Sequence, residues 1–142
     1  MSLLDYFDSR DKKERMSYVL NLFAVAAADG HFDSSEQDII FNIAARHGLT
    51  TAELERILER PESISFTPPA TDRARIEQLM DMVLVMMVDG EIDAREYALC
   101  KLTAKMLGFR HEVIDAMIIA VIEAVKKKIR TELAIEQLLR MM

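Results

Sequence analysis

Six carboxylates recur at matched spacing in this chain, and carboxylates so arranged either cap helices or hold cations. The first string reads Asp29-Gly30-His31-Phe32-Asp33-Ser34-Ser35-Glu36, and the second Asp89-Gly90-Glu91-Ile92-Asp93-Ala94-Arg95-Glu96. A shift of 60 residues places Asp29 on Asp89, Asp33 on Asp93 and Glu36 on Glu96, and carries the pair Gly30 and Gly48 onto Gly90 and Gly108. As caps, Asp33 and Asp93 would accept a backbone N–H at the start of the next helix, while Glu36 and Glu96 reach back to close a capping box. The helix dipole favours carboxylates there as well. Capping leaves Asp29 and Asp89 without a task. As ligands, all six would serve a divalent cation, with the carbonyl of His31 or Glu91 adding an oxygen and the His31 ring a nitrogen for a transition metal.

Laid on the loop of a calcium-binding helix–loop–helix, each string supplies only the second half of the ligand set. Val25 and Ala27 stand where the first two carboxylates belong, as do Val85 and Met87 in the second copy. Three carboxylates fall short of the roughly six to eight oxygens of a tight Ca²⁺ site. If both turns meet at one end of the fold, six carboxylates and Glu91 would share a surface where ions collect weakly, with waters completing the shell. Capping alone and capping with cation or partner binding both remain open.

The elements that must position these residues read as helices throughout. Apolar residues recur at helical spacing and no stretch alternates like a strand. The spacing predicts a first helix over about Lys12–Asp29, with Asp11 and Glu14 as a capping box and a short turn before it in Met1–Phe7. A second helix, capped by Asp33, runs to about His47 and closes at Gly48; a third follows Thr50, with Glu53 completing its box. Residues 61–71 form a connector stiffened by Pro68-Pro69. Further helices follow over about Asp72–Asp89, Ala94–Leu107 and His111–Lys128, and Thr131 is expected to cap a last one. Apolar positions agree across the shift: Phe32 with Ile92, Ile39 with Leu99, Leu49 with Phe109, Leu54 with Ile114. The expected fold is a single all-α domain over 1–142, a compact seven-helix bundle. It comprises two three-helix repeats (about 12–60 and 72–128) related by a pseudo-twofold axis, and a C-terminal helix over about 131–142.

The chain has 142 residues, 51% of them hydrophobic, enough for a substantial core. A net charge of -6 argues against nucleic acid as a partner and suits cations, basic partners or solubility alone. The apolar stretches Tyr18–Ala28, Leu79–Val88 and Val113–Val125 are shorter than the roughly 18 residues of a membrane span. They read as buried helices, with Met80, Met82, Met86 and Met87 as adaptable filler. Cys100, opposite Ile40 in the repeat, reads as a core thiol. Met1–Phe7 has no secretory character, so a cytoplasmic chain is expected.

The string Ala26-Ala27-Ala28-Asp29-Gly30 with Glu36, echoed by Met86-Met87-Val88-Asp89-Gly90 with Glu96, resembles the TerB-like tellurite-resistance family. The resemblance covers about Tyr18–Ile118. It implies a compact helical domain acting in stress resistance, with an acidic surface for divalent metal made by Asp29, Asp33, Glu36, Asp89, Asp93 and Glu96. The second copy departs from the family string by Met86, Met87 and Val88, which bears on packing more than on ligation.

No enzyme constellation is present: no phosphate-cradling glycine loop, no His-Glu-x-x-His, no Gly-x-Ser-x-Gly. His47 and His111 lie at helix ends and read as structural. Lys126, Lys127, Lys128 and Arg130 form the one basic run, either a solvated helix end complementing its dipole or a peripheral contact with anionic lipid or an acidic partner. The expected function is a non-catalytic acidic domain whose turns draw a weakly held divalent cation or a basic protein partner. The alternative is a scaffold module whose turns only cap; a metal-dependent hydrolase is the third reading.

Overall fold

A computed structural model describes residues 3–88 and 90–142, with side chains from Asp11 onward. Asp89 therefore lies outside the described residues. Seven α-helices and one 3-10 turn make up the described structure, and no described residue is in a strand. They are α1 (Leu3–Ala26), α2 (Ser34–Arg46), α3 (Thr51–Glu59), the 3-10 turn Pro61–Ser63, α4 (Asp72–Met87), α5 (Ala94–Met106), α6 (His111–Lys126) and α7 (Thr131–Met141).

Helices α1 and α4 share the most extensive helix–helix contact and carry the core. Val19, Leu22, Val25 and Ala26 of α1 meet Ile76, Leu79, Met82, Val83 and Met86 of α4 in one buried cluster. Ile40 and Ile43 of α2, Cys100 and Ala104 of α5, Met117 and Ile118 of α6, and Ile135 and Leu138 of α7 close around them. Because α4 and the part of α1 from Met16 onward are apolar around most of their girth, they are stable only when helices cover them on several sides. Met82 and Met86 are fully buried, the filler role expected of them.

Polar ties at the α1–α4 contact follow the 60-residue shift. Tyr18 donates to Asp81 at 2.6 Å, and Asn21 donates to Gln78 at 2.8 Å. Adding 60 to Tyr18 and subtracting 60 from Asp81 turns the first pair into the second. Arg15 likewise donates to the carbonyls of His47 and Gly48, ending α2, while Arg75 stands against Gly108.

Several expected boundaries move. Helix α1 begins at Leu3, so Asp11 and Glu14 lie within it and are not a cap. No glycine or proline occurs between Leu3 and Ala26 to break the helix, and Asp11 instead pairs with Arg15 one turn on at 3.3 Å. Helix α4 ends at Met87 and α6 at Lys126, two residues short of the expected ends. The cap of α7 is Arg130, with Thr131 its first helical residue and no side-chain cap bond. Phe32 packs against the Phe23 ring at 5.3 Å, but Ile92, expected to do the same, is 37% exposed. The residue 60 beyond Phe23 is Val83, so the second copy has no ring to draw Ile92 inward.

Gly108 has φ +103°, and a Cβ there would stand 3.0 Å from the Arg75 guanidinium. Gly108→Ala is expected to cost about 1–3 kcal/mol, read as a lower urea midpoint with unchanged slope.

Candidate functional site

The first acidic turn is built by local hydrogen bonds. Gly30 at φ +85° lets the chain leave α1, and Asp29 accepts the His31 N–H at 2.8 Å. Asp33 caps α2, accepting the Glu36 N–H at 2.9 Å and the Ser35 hydroxyl at 2.8 Å. Glu36 returns a carboxylate oxygen to the Asp33 N–H at 3.4 Å, which closes the expected capping box. The Glu36 N–H and the Ser35 hydroxyl hold the Asp33 carboxyl below its usual range, so it is charged at neutral pH. Glu36 is only 2% exposed, because the box folds it under the turn.

The second turn departs from the capping box expected of Asp93 and Glu96: the Asp93 side chain takes the N–H of Arg95, the second residue of α5, where Asp33 takes that of the third residue of α2. Asp93 accepts the Arg95 N–H at 2.7 Å and also the Arg95 guanidinium at 3.3 Å. The guanidinium bond is the main reason its carboxyl sits low. Glu96 is buried like Glu36. The Arg95 guanidinium is held above its usual range first by Asp93 and, in smaller part, by the charge of Asp29. The first turn thus lies within electrostatic reach of the second. Of the predicted site residues, Asp29, Asp33 and Asp93 present carboxylates near the surface, while Glu36 and Glu96 are taken into the fold. Among the described residues, no group of three His, Cys, Asp or Glu side chains is arranged to hold a metal ion.

A second polar centre escaped sequence reasoning. A cleft of about 280 Å³ lies between α1, the end of α2, α4 and α7, and Tyr18, Arg46, His47, Glu77 and Asp81 line its polar side. Asp81 accepts the Tyr18 hydroxyl and pairs with Arg46 at 3.6 Å, while the His47 ring stands 4.2 Å from the Tyr18 ring. Burial raises the Asp81 carboxyl above its ordinary range despite the Tyr18 bond and the Arg46 charge. Burial, followed by the Asp81 charge, also drives the Tyr18 hydroxyl upward, so the proton stays on tyrosine. Burial lowers His47 and keeps it neutral, where its position at a helix end alone would favour a cation. The signal available in the sequence was Asp81 itself, a lone carboxylate inside the apolar stretch Leu79–Val88. With its oxygens engaged by Tyr18 and Arg46, the group works as a lock tying α1, α2 and α4. Cys100, buried in the core, has its thiol pushed up to about 12, which removes it as a nucleophile at neutral pH.

Residues 2–59 match the family model for Tellurite resistance protein TerB. The matched segment takes in α1 to α3 and stops where α3 stops. No curated protein and no solved structure matches the chain.

Removing the Tyr18 donor leaves a buried carboxylate short of a partner, so Tyr18→Phe is expected to destabilise by about 1–3 kcal/mol in chemical denaturation. The pH dependence of Asp81 has a definite sign. Its folded-state affinity for a proton exceeds that of the unfolded chain, so its contribution is complete below the unfolded carboxylate range and declines as pH rises through the folded value. Stability of the wild type relative to Asp81→Asn is therefore expected to fall between about pH 4 and neutrality, measured as unfolding midpoints of both proteins.

Proposed function

From a chain whose residues 2–59 are TerB-like, we propose a non-catalytic domain of a cytoplasmic, tellurite-resistance type of stress response, whose paired acidic turns draw divalent cations to one corner. What supports this reading is that Asp33 and Asp93 each keep a carboxylate held low at a helix start, with the Asp29 charge acting in small part on Arg95 beside Asp93. The cap and the Ser35 hydroxyl both engage Oδ1 of Asp33, and the His31 N–H engages Oδ1 of Asp29. A cation there would take a few protein oxygens and complete its shell with water, a geometry that gives weak binding. Arg95 competes for the same charge, which further limits affinity and makes a basic side chain of a partner protein an equivalent occupant. A pseudo-twofold relation of the two units, which the 60-residue repeat of the sequence suggests, would present matching anions from both copies.

A non-catalytic role accords with the inert Cys100 thiol, the neutral His47 and the internal engagement of Asp81. A second reading, a scaffold module whose turns only cap, is favoured by the buried Glu36 and Glu96 and by the Arg95 pairing of Asp93.

Thermal unfolding separates the two. A millimolar site at about 10 mM Ca²⁺, Mg²⁺ or Mn²⁺ contributes about 1.4 kcal/mol, so the wild type is expected to melt about 3–5 °C higher with ion. Asp29→Asn/Asp89→Asn should lose most of that shift. An ion-independent wild-type melting temperature would leave the capping-only scaffold.

A further inference from the structure

The corner between α6 and α7 holds the basic run, and its local structure is poorly explained by folding alone. Three helices end with the same six-residue hydrogen bond: the Leu49 N–H to the Ala44 carbonyl, Phe109 to Ala104, and Ile129 to Ala124. The first two place glycine in the left-handed position, Gly48 and Gly108, and bury the apolar residue that follows, with Leu49 9% and Phe109 4% exposed. The third places Lys128 there at φ +56°, and Ile129 is 40% exposed. The next residue, Arg130, is the α7 cap but makes no side-chain cap bond. Ser, Thr, Asn or Asp would cap better, and the helix dipole disfavours a cation at that end. Lys126 and Lys127 suit the C-terminus of α6, but Lys128 and Arg130 occupy positions where local stability asks for glycine and a capping oxygen.

What the corner gains is unneutralised charge around apolar side chains. Lys126, Lys127, Lys128 and Arg130 are exposed, and no described carboxylate is ion-paired to them. Glu132, the nearest acid on α7, is paired with Arg73 of α4. Leu133, 47% exposed, adds a second apolar side chain. We propose that this corner is a peripheral docking surface for an anionic lipid bilayer, with the four cations on the headgroups and Ile129 and Leu133 entering the interface.

Charge complementarity selects the occupant. Three of the four cations are lysines, point charges on flexible stems that suit a diffuse anionic surface better than the forked geometry arginine offers to individual carboxylates. The nearest described cleft is lined by Thr131 and Glu132 and by neither the four cations nor Ile129 and Leu133, which are exposed. No described helix is long and apolar enough to cross a membrane, so the contact is interfacial. Each lysine near such a surface changes partitioning about fivefold, and four cations with two apolar side chains suffice for reversible binding. Acidic groups more than about 8 Å away are screened at physiological salt, which lets a chain of net charge -6 bind through one basic corner.

The test is flotation of the full chain with phosphatidylcholine vesicles, with and without about 30 mol% phosphatidylglycerol, at about 0.05 M and about 0.5 M salt. Binding is expected only with the anionic lipid and mostly at low salt, reduced about 25-fold in Lys126→Ala/Lys127→Ala and lowered in Ile129→Ser. Lys128→Gly controls for folding: glycine fits the positive φ, so its melting temperature should not fall, while binding drops about fivefold. Absence of flotation, equal flotation with neutral vesicles, or unchanged flotation of the lysine variants would overturn the proposal. Binding to soluble polyglutamate without binding to vesicles would overturn it in favour of an acidic protein partner.

Discussion

Burial of α4 and of the 16–26 part of α1 around most of their girth dictates what happens at their C-terminal ends. Two helices this apolar need neighbours around most of their circumference, so the chain must turn back as soon as each is complete. Gly30 and Gly90, both at positive φ, make the reversal, and Asp33 and Asp93 receive the first N–H groups of the returning helices. The acidic surface is in this sense a by-product of covering the core. Even the ties inside the α1–α4 contact, Tyr18 with Asp81 and Asn21 with Gln78, serve to hold these two helices in one register.

Function then depends on what capping leaves over. A carboxylate has two oxygens and several lone pairs, and an N-cap uses one of them. Beyond its cap bond, Asp33 also accepts the Ser35 hydroxyl in the first turn, and Asp93 accepts a full cation, Arg95, in the second. The two turns therefore differ in pairing: Arg95 partly neutralises Asp93 in the second, where the first has a neutral hydroxyl.

Features set by neighbours in sequence were legible; features set by neighbours in space were not. The boxes of Asp33 with Glu36 and Thr50 with Glu53 involve residues three apart and form as read. The same pattern at Asp11 and Glu14 was misleading, since a capping motif inside a run of good helix formers is simply carried along in the helix. Thr131 looked like a cap because threonine favours that place, yet the chain enters α7 one residue earlier. Ile92 was aligned with Phe32 by spacing, but its burial depended on a ring that Val83 does not supply. The Tyr18–Asp81 lock joins residues 63 apart, and no local pattern announces it. Burial of Glu36 and Glu96 was equally hidden, since glutamate in a first turn reads as surface.

Site-resolved contact with a paramagnetic ion speaks most directly to whether the two turns form one anionic corner. In the ¹H–¹⁵N spectrum of the labelled chain, substoichiometric Mn²⁺ is expected to broaden the amides of 29–36 and 90–96 together, ahead of other acidic surfaces. Broadening confined to one turn, spread evenly over the surface carboxylates, or absent at millimolar ion would contradict a shared site.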